Sequence, residues 1–478
     1  MAYEAVIGLE VHAQLLTASK IFCGCSTRFG ASANTQICPV CAGFPGVLPV
    51  LNEKAVEFAV RMGLATQCRI RGTSRFARKN YFYPDLPKGY QISQFDEPLC
   101  EAGVLHVDVE GETHALRIHR IHMEEDAGKT LHDQDPGASL VDLNRTGTPL
   151  IEIVSEPDLR TPAQAHAYLT KLRQILVYLE ICDGNMEEGS LRCDANVSVR
   201  PAGQEALGVK VEIKNLNSFR GVEAALHFEI ARQTAVLEQG GRVRQETRLW
   251  DPEKQETRVL RSKEEAHDYR YFPEPDLLPL VLDDAWIARI RDALPELPDA
   301  KQERFVHQYG LGAYDAQVLT ATRGLADYYE NAVAAAQEPK KVANWVQTEL
   351  LGLLRARGAE IEQSPVRAES LGELVRMIES GRISGKMAKE VFAAMAETGE
   401  EPAAIVDKRG MQQIGDAATL QRLVDELLAA NPAEVAKYRG GKTKVFGFFV
   451  GEIMKKTRGQ AHPVELERLL RAALDQTS

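Results

Sequence analysis

The stretch IGLEVHAQL, residues 7–15, alternates apolar and polar side chains. Glu10, His12 and Gln14 occupy every second position, and aliphatic side chains or alanine fill the positions between them. Successive side chains of a β-strand point to opposite faces of a sheet, so this spacing predicts a strand with one buried face. The stretch alone leaves two interpretations of the polar face: an ordinary solvated surface, or a row of groups that bind or react.

Three further stretches repeat the alternation: LRCDANVSVR (191–200), VKVEIKN (209–215) and, more weakly, LRIHRIHMEEDAGK (116–129). Their polar positions include Arg192, Asp194, Asn196, Glu212, Lys214, Glu124 and Glu125. Carboxylates beside histidine suit Mg²⁺ with nucleotide phosphates, and interleaved Arg and Lys stabilise a transferred phosphoryl group. Four such strands could form one working face, with solvated faces as the alternative.

The segment RKNYFYPDLPKGYQISQ, residues 78–94, combines basic and aromatic side chains with two prolines and a glycine. Lys79 and Lys88 could meet phosphates, and Tyr81, Phe82 and Tyr83 could supply a stacking surface. An aromatic strand packed on the core is an equally good interpretation of the same residues.

Cys23, Cys25, Cys38 and Cys41 follow the pattern C-x-C-x12-C-x2-C. Thiolates are soft ligands and each short turn presents two sulfur atoms together, so this spacing predicts one tetrahedral zinc ion. Four protein ligands leave no open position, which indicates a structural site. A redox-active Cys-x-x-C pair or unliganded thiols are the alternatives.

The bulk composition is that of a globular protein, with 478 residues, 44% hydrophobic residues and a formal net charge of −11. The length predicts roughly two to four domains. The negative charge argues against a sequence-independent nucleic-acid coat but leaves room for local basic patches. The apolar runs are too short for a membrane span, and the start lacks signal-peptide features. We expect a cytoplasmic protein without a membrane partner.

Residues 1–292 are rich in short alternating segments with a few helical ones, which predicts an α+β domain built on an antiparallel sheet. Three prolines in YFPEPDLLPL (271–280) then break the chain, and apolar residues afterwards recur at helical spacing.

The helical half is divided into residues 293–406 and a tail of residues 407–478, with RGMQQIG (409–415) as a plausible joint. In the first part Ser370 and Glu373 have the spacing of a helix capping box.

The tail contains YRGGKTKVFGFFVGEIMKKTRG, residues 438–459, which combines aromatic and aliphatic side chains with basic ones. The basic residues Lys442, Lys444, Lys455, Lys456 and Arg458 suit contact with a folded RNA backbone. A helix packed in a small bundle is the other interpretation.

Nine stretches occur in one order along the chain: IGLEVHAQL, CPVCAGFPGVLPVLN, RKNYFYPDLPKGYQISQ, HMEEDAGK, DLNRTGTPLIEIVSEPD, EEGSLRCDANVSVR, EIKNLNSF, YRYFPEPDL and KVFGFFVGEIMKKTRGQ. Together they closely resemble the B-subunit family of bacterial aspartyl/glutamyl-tRNA amidotransferases. The resemblance implies a glutamine-synthetase-like cradle domain with a zinc-binding segment, followed by all-α helical and tRNA-binding tail domains.

The resemblance also implies a reaction and partners. The enzyme would be a carbon–nitrogen ligase with glutamine as amido-N donor, working as a heterotrimer with an amidase A subunit and a small C subunit. ATP would phosphorylate the side-chain carboxylate of mischarged Glu-tRNA(Gln) or Asp-tRNA(Asn), and ammonia from the A subunit would displace phosphate. This fits a chain with no G-x-S-x-G elbow and no N-terminal cysteine nucleophile.

Residue roles carry over from the same resemblance. The expected Mg²⁺ ligands are Glu10, His12, Glu124 and Glu125, and the expected catalytic residues are Glu10, His12, Glu125 and Lys79. The expected ATP-site residues are Lys79, Tyr81, Tyr83, Lys88, Arg192, Asp194, Asn196, Glu212 and Lys214. The four cysteines are expected to hold structural Zn²⁺.

Two other functional classes are compatible with parts of the sequence. One is a tRNA-binding scaffold without catalysis, and the other is a ligase that uses free ammonia. Carboxylates and histidine concentrated on four strands favour catalysis, because a pure RNA binder gains nothing from them.

Overall fold

A computed structural model describes residues 2–131, 137–262, 269–411, 417–457 and 460–475. The chain forms two compact units, Met1–Leu297 and Pro298–Ser478. Residues 412–415 of the predicted joint and Arg458 of the tail lie outside the described residues.

In its described residues the first unit holds the strands and four helices. Its strands are β1 (Tyr3–Gln14), β2 (Arg69–Ile70), β3 (Thr73–Ser74), β4 (Ala77–Asn80), β5 (Tyr90–Ser93), β6 (Cys100–Val109), β7 (Glu112–Glu125), β8 (Lys129–Leu131), β9 (Leu140–Asp142), β10 (Pro149–Ser155), β11 (Leu191–Pro201), β12 (Val211–Leu216), β13 (Glu246–Asp251), β14 (Glu256–Ser262), β15 (Phe272–Pro273) and β16 (Leu280–Val281). Its helices are α1 (Glu53–Ala65), α2 (Pro162–Tyr178), α3 (Phe219–Glu238) and α4 (Asp284–Asp292).

The main sheet has the strand order β14-β13-β12-β11-β1-β10-β7-β5-β4-β15, with β6 paired to β7 and β2 paired to β6. Its pairs are antiparallel except for β12 with β13, which is parallel. Strand β1 lies between β10 and β11. The observed mostly antiparallel sheet with helices confirms the predicted α+β class of this unit.

One face of the sheet is the core of the first unit. The apolar positions of β1, such as Ile7, Leu9 and Val11, are buried in a cluster that also contains the apolar faces of α1, α2 and α3. Because these helices cover one face, the polar positions of the same strands all lie on the other.

The second unit is helical in its described residues. Its helices are α5 (Pro298–Tyr309), α6 (Ala313–Leu319), α7 (Arg323–Ala336), α8 (Pro339–Trp345), α9 (Leu351–Arg357), α10 (Ala368–Glu379), α11 (Gly385–Thr398), α12 (Pro402–Arg409), α13 (Ala417–Ala430), α14 (Pro432–Arg439), α15 (Phe446–Lys456) and α16 (Pro463–Asp475), with a π-helical turn at Val346–Leu350 joining α8 to α9. They form two hydrophobic clusters, one from Phe305 to Val406 and one from Leu420 to Leu474. No helix among the described residues is long and apolar enough to cross a membrane.

The predicted capping box at Ser370 and Glu373 is wrong. Helix α10 begins two residues before Ser370, with Arg367 as its N-cap residue. The Ser370 hydroxyl instead donates a hydrogen bond to Glu401 at 2.6 Å. Ser370 therefore bonds to Glu401, a residue distant in sequence, and does not cap the start of the helix as the local spacing predicted.

The buried carboxylate of Glu229 connects α3 to the β13–β14 hairpin through hydrogen bonds and an ion pair. Glu229 is fully buried and accepts hydrogen bonds from Arg232 and from the Thr257 hydroxyl, each at 2.9 Å. The Arg248 guanidinium lies 3.5 Å from the same carboxylate. Since an unpaired charge is costly to bury, these contacts make Glu229 a structural requirement of this edge.

Replacing Glu229 with glutamine is expected to lower the free energy of unfolding of the first unit by about 3 kcal/mol, because it removes one charge from a buried network. Urea unfolding followed by tryptophan fluorescence measures this, since the buried Trp250 ring lies 6.4 Å from Phe228 of α3. Glu238→Gln, at an exposed site on the same helix, is the control. Equal stabilities of the two variants would contradict the structural role of Glu229.

Candidate active site

The strand registers bring the polar positions of separate stretches together. In β1, Glu10 is paired with Asp194 of β11, and His12 lies between Arg192 of β11 and Glu152 of β10. The sheet continues from Glu152 to His122 of β7 and from Asn196 to Glu212 of β12. These pairings collect the polar side chains of five strands on the face opposite the helices.

The first cluster on this face consists of His12, Glu124 and Glu152. The His12 Nε2 atom lies 3.3 Å from a Glu124 carboxylate oxygen and 3.4 Å from a Glu152 oxygen. His122 Nε2 lies 3.3 Å from the same Glu152 oxygen. Glu124 is only 2% exposed, so this part of the polar face is not an ordinary solvated surface.

The charges of the first cluster are strongly coupled. Burial lowers the pKa of His12, but hydrogen bonds to Glu124 and Glu152 outweigh it and raise the pKa to about 10. Burial raises the pKa of Glu152, but its interactions with His122 and its hydrogen bond with His12 outweigh burial and bring the pKa well below its usual range. Without a metal ion, the cluster therefore holds a proton between its carboxylates.

The second cluster consists of Glu10, Asp194 and Glu212. Asn196 donates a hydrogen bond of 2.9 Å to Glu10, and the Lys214 ammonium contacts Asp194 at 2.5 Å and Glu212 at 3.0 Å. Burial, followed by repulsion from Glu152, Asp194 and Glu212, raises the pKa of Glu10.

Both clusters have the donor set of a divalent cation site. In each, three ligand atoms lie within 4.8 Å of one another. Carboxylate oxygens are the ligands that Mg²⁺ prefers, and each set is small enough to leave other positions for water or phosphate. A cavity of about 230 Å³ opens beside Glu10 and is also lined by Gly8, Ser155 and Lys210.

The structure does not bring Glu125 together with Glu10, His12 and Glu124. Glu125 forms an ion pair with Lys88 and accepts a hydrogen bond of 2.9 Å from the Ile92 amide. A small cavity lined by Glu125 and Lys88 also reaches Cys23 and Cys41. The expected role of Glu125 as a magnesium ligand stays a prediction.

Lys79 lies among tyrosine rings. Its ammonium is 5.0 Å from the centre of the Tyr269 ring and 5.9 Å from that of Tyr81. Burial lowers the pKa of Lys79, but the nearby charge of Glu124 and the further groups around it raise it overall, so the side chain is a cation. Among the described residues, no carboxylate lies within ion-pair distance of it.

The tyrosine segment does not pack in the core. Tyr83 is 51% exposed, and its ring lies 5.9 Å from the Tyr81 ring. Tyr271, which follows Tyr269, stacks on Phe95 with ring centres 3.9 Å apart. The second interpretation of this segment, an aromatic strand packed on the core, is therefore wrong.

The segment that carries Tyr269 and Tyr271 is fastened to β4. The Arg78 guanidinium makes two hydrogen bonds to the buried carboxylate of Glu274, at 2.7 and 2.8 Å. The side-chain amide of Asn80 donates to the Tyr269 carbonyl at 3.2 Å. These contacts on both sides of Lys79 hold the aromatic rings around it.

Arg192 is held at the margin of the polar face. It contacts Asp126 at 3.0 Å, and Gln14 donates to the same carboxylate at 2.8 Å. Burial raises the pKa of Asp126, but the charges of Arg192 and Arg145 outweigh it and lower the pKa overall. Gln14 therefore supports Arg192 rather than joining either cluster.

Four neighbours of the site were not predicted as individual residues from the sequence: Glu152, His122, Tyr269 and Tyr271. Glu152 had a usable signal, because it is the one charged residue in the otherwise apolar run PLIEIV (149–154). His122 shares the alternation of Glu124. Tyr269 and Tyr271 lie in the quoted stretch YRYFPEPDL, but nothing in that stretch indicates a position near Lys79, because that position comes from a contact across nearly 200 positions.

The four predicted zinc ligands converge. The sulfur atoms of Cys23, Cys25, Cys38 and Cys41 all lie within 4.8 Å of one another. The Cys38 amide donates to the Cys41 sulfur at 3.2 Å, as second-sphere groups do in thiolate metal sites. A hydrogen bond from Cys23 and the Lys20 ammonium lower the pKa of Cys41. The geometry and donor set fit a tetrahedral zinc ion.

Comparison with known proteins covers nearly the whole chain. The family profile of the GatB/GatE catalytic domain matches residues 5–288, and that of the GatB domain matches residues 327–474. Relatives from Thermodesulfovibrio yellowstonii and Geobacter sulfurreducens are each 57% identical, over 98% of this chain and 99% of their own. A relative from Carboxydothermus hydrogenoformans is 56% identical over 99% of both chains.

All three relatives are named as the B subunit of aspartyl/glutamyl-tRNA(Asn/Gln) amidotransferase. Profiles that match both units of the chain and an identity of this size over its full length establish the relationship that the motifs predicted. The chain therefore belongs to the family of aspartyl/glutamyl-tRNA(Asn/Gln) amidotransferase B subunits.

Proposed function

We propose that the polar sheet face of this chain is where mischarged Glu-tRNA(Gln), Asp-tRNA(Asn) or both are converted to Gln-tRNA(Gln) and Asn-tRNA(Asn). The observation that carries the proposal is the pair of three-ligand clusters on adjoining strands, with Lys79 beside them. The relatives' names supply the substrate class, and the site supplies the groups that the reaction needs.

The reaction needs activation because a carboxylate is a poor electrophile. A side-chain carboxylate oxygen attacks the γ-phosphorus of ATP, ADP leaves, and an acyl phosphate forms. Ammonia then attacks the acyl carbon, the carbon–oxygen bond to phosphate breaks, and an amide and inorganic phosphate result. Both steps concentrate negative charge on phosphate oxygens, which cations at the site must stabilise.

Two residue sets would hold magnesium: His12, Glu124 and Glu152, and separately Glu10, Asp194 and Glu212. The first set takes Glu152 where the motif resemblance suggested Glu125. Bound Mg²⁺ would neutralise phosphate charge and orient the reacting oxygens. His122 and Asn196 position the carboxylates through their contacts with Glu152 and Glu10.

Lys79 is the residue best placed to meet the phosphates of ATP. Lys214 and Arg192 already pair with carboxylates, whereas Lys79 contacts only aromatic rings among the described groups near it. An ammonium held by ring faces can exchange such contacts for a phosphate oxygen at small cost. Tyr81 and Tyr83 would shape the pocket around the nucleotide.

Ammonia is proposed to come from glutamine, released by an amidase A subunit, with a small C subunit completing a heterotrimer. The designation of the relatives as B subunits supports a multi-subunit enzyme. The antiparallel sheet with one open polar face supports a glutamine-synthetase-like cradle. The aminoacyl-tRNA substrates favour a reaction in the cytoplasm, where translation occurs.

Substitution of the cluster carboxylates tests the site. Glu10→Gln and Glu124→Gln are each expected to reduce tRNA-dependent ADP release roughly 100-fold or more, because each removes a charge that would hold a cation in a preorganised site. ADP release from ATP is measured on the complex with its amidase and small subunits, with and without mischarged Glu-tRNA(Gln).

Glu4→Gln is the matched control, since Glu4 lies on the same strand and contacts only Arg200 at 2.6 Å among the described side chains. It is expected to keep full activity. Turnover that is insensitive to Glu10→Gln and Glu124→Gln would leave this chain as a tRNA-holding scaffold.

The zinc site is proposed to be structural, because its four ligands come from the chain itself. Freshly purified protein is expected to contain about one zinc ion per chain, and Cys38→Ser to lose most of it. Metal analysis by mass spectrometry measures both, with Cys68→Ser, a buried thiol outside the cluster, as the control. Zinc-free wild-type protein would refute the site.

The tail is proposed to contact tRNA. In α15, Phe449 and Ile453 are buried with residues of α13 and α16, which agrees with the small-bundle interpretation. Lys442, Lys444 and Lys455 are exposed beside that bundle and are available for phosphates. The buried side of α15 fits the small-bundle interpretation, and the exposed lysines on either side of it fit contact with an RNA backbone.

Truncation after Met411 is expected to weaken tRNA binding at least about tenfold while ATP binding by the first unit is unchanged, because it removes phosphate contacts. The truncated protein retains Val406, the last buried residue of the hydrophobic cluster that begins at Phe305. Filter binding at two salt concentrations measures the affinity. An unchanged affinity would contradict the role of the tail.

A further inference from the structure

Lys20 is a buried lysine beside the cysteine cluster, and the residue is only 1% exposed. The ammonium donates to the Gln36 carbonyl at 2.8 Å, the Leu143 carbonyl at 3.4 Å and the Cys41 sulfur at 3.5 Å. These three contacts use all three hydrogens of the ammonium.

A buried ammonium needs a negative partner, because burial of an unpaired charge costs several kcal/mol. Within the described ranges no carboxylate lies within 4.0 Å of Lys20 Nζ, and Glu125, which lines the same cavity, is paired with Lys88. The two carbonyls contribute dipoles but no charge. The Cys41 sulfur is thus the partner that can carry the compensating charge.

The cysteine cluster has the opposite imbalance. Four thiolates around one Zn²⁺ leave two excess negative charges, and Cys41 is itself buried. Hydrogen bonds from backbone amides, such as that of Cys38, share the charge without neutralising it. A buried cation in direct contact with one thiolate would neutralise half of the excess.

We propose that Lys20 is the charge-compensating donor of the zinc site, holding the Cys41 thiolate through an N–H···S hydrogen bond. The same ammonium joins the cysteine segment at Gln36 to the turn at Leu143, so it positions the fourth ligand as well as balancing its charge. Lys20 is a positioning residue and not a zinc ligand. The inference rests on the zinc site proposed above and is independent of the transamidation reaction.

The experiment uses the full-length chain and three substitutions. Lys20→Met removes both charge and donor, Lys20→Gln keeps a donor without charge, and Lys20→Arg keeps both. Zinc transfer to a chelator is followed at pH 7. We expect the Met and Gln variants to lose zinc roughly 10- to 100-fold faster than wild type, and the Arg variant to stay close to wild type.

Cobalt substitution gives a readout that a merely structural role would not move. Co²⁺ bound by thiolates has a sulfur-to-metal charge-transfer band, and loss of a cation from one thiolate raises the energy of its electrons. The band is therefore expected to shift to longer wavelength in Lys20→Met and Lys20→Gln. Lys54→Met, at an exposed lysine of α1, is the control and should leave both readouts unchanged.

The outcomes separate the two proposals. If the wild-type protein takes up no cobalt, the zinc site and the role of Lys20 both fail. If it takes up cobalt but the Met and Gln variants match wild type in band position and release rate, only the role of Lys20 is overturned. Faster release in all three variants, including Arg, would overturn charge compensation in favour of simple packing.

Discussion

The position of β1 between two antiparallel neighbours is the constraint on which the candidate site depends. Its apolar side chains are buried under helices, so a shift of one residue would turn Glu10 and His12 into the core. The same register places Asp194 beside Glu10 and Glu152 beside His12. The hydrophobic pattern therefore determines where the carboxylates lie. Polar contacts are not needed to set the strand register.

Electrostatics then gives this face its chemical character. Five carboxylates in two clusters repel one another, and the protein offsets the repulsion with a proton on His12, the Lys214 ammonium and the Asn196 amide. These groups are modest substitutes for a divalent cation. In the function proposed above, metal-bound phosphate would bring both the cations and the anions that these residues can bind.

Glu124 and Glu125, which are consecutive at the end of β7, point to opposite sides of the sheet. Glu124 joins the His12 cluster, whereas Glu125 pairs with Lys88 beside a cavity that reaches Cys41. The alternation that placed Glu10 and His12 on one face would also have separated Glu124 from Glu125. The resemblance implies that both carboxylates belong to one ligand set, and for Glu125 this stays a prediction.

Local properties of the chain were enough to predict the four strands, the sidedness of the polar row, the cysteine cluster and the family, because periodicity, ligand spacing and motif order are all visible in the sequence. They did not predict which carboxylates come together on the polar face. Strand pairing brought Glu152 against His12, Glu125 formed an ion pair with Lys88, and Tyr269 reached Lys79 through contacts nearly 200 positions away. Ser370 likewise found a tertiary partner in place of the local cap. These points required the folded chain, because the energy of a buried charge depends on groups that the fold brings near it, wherever they lie in the sequence.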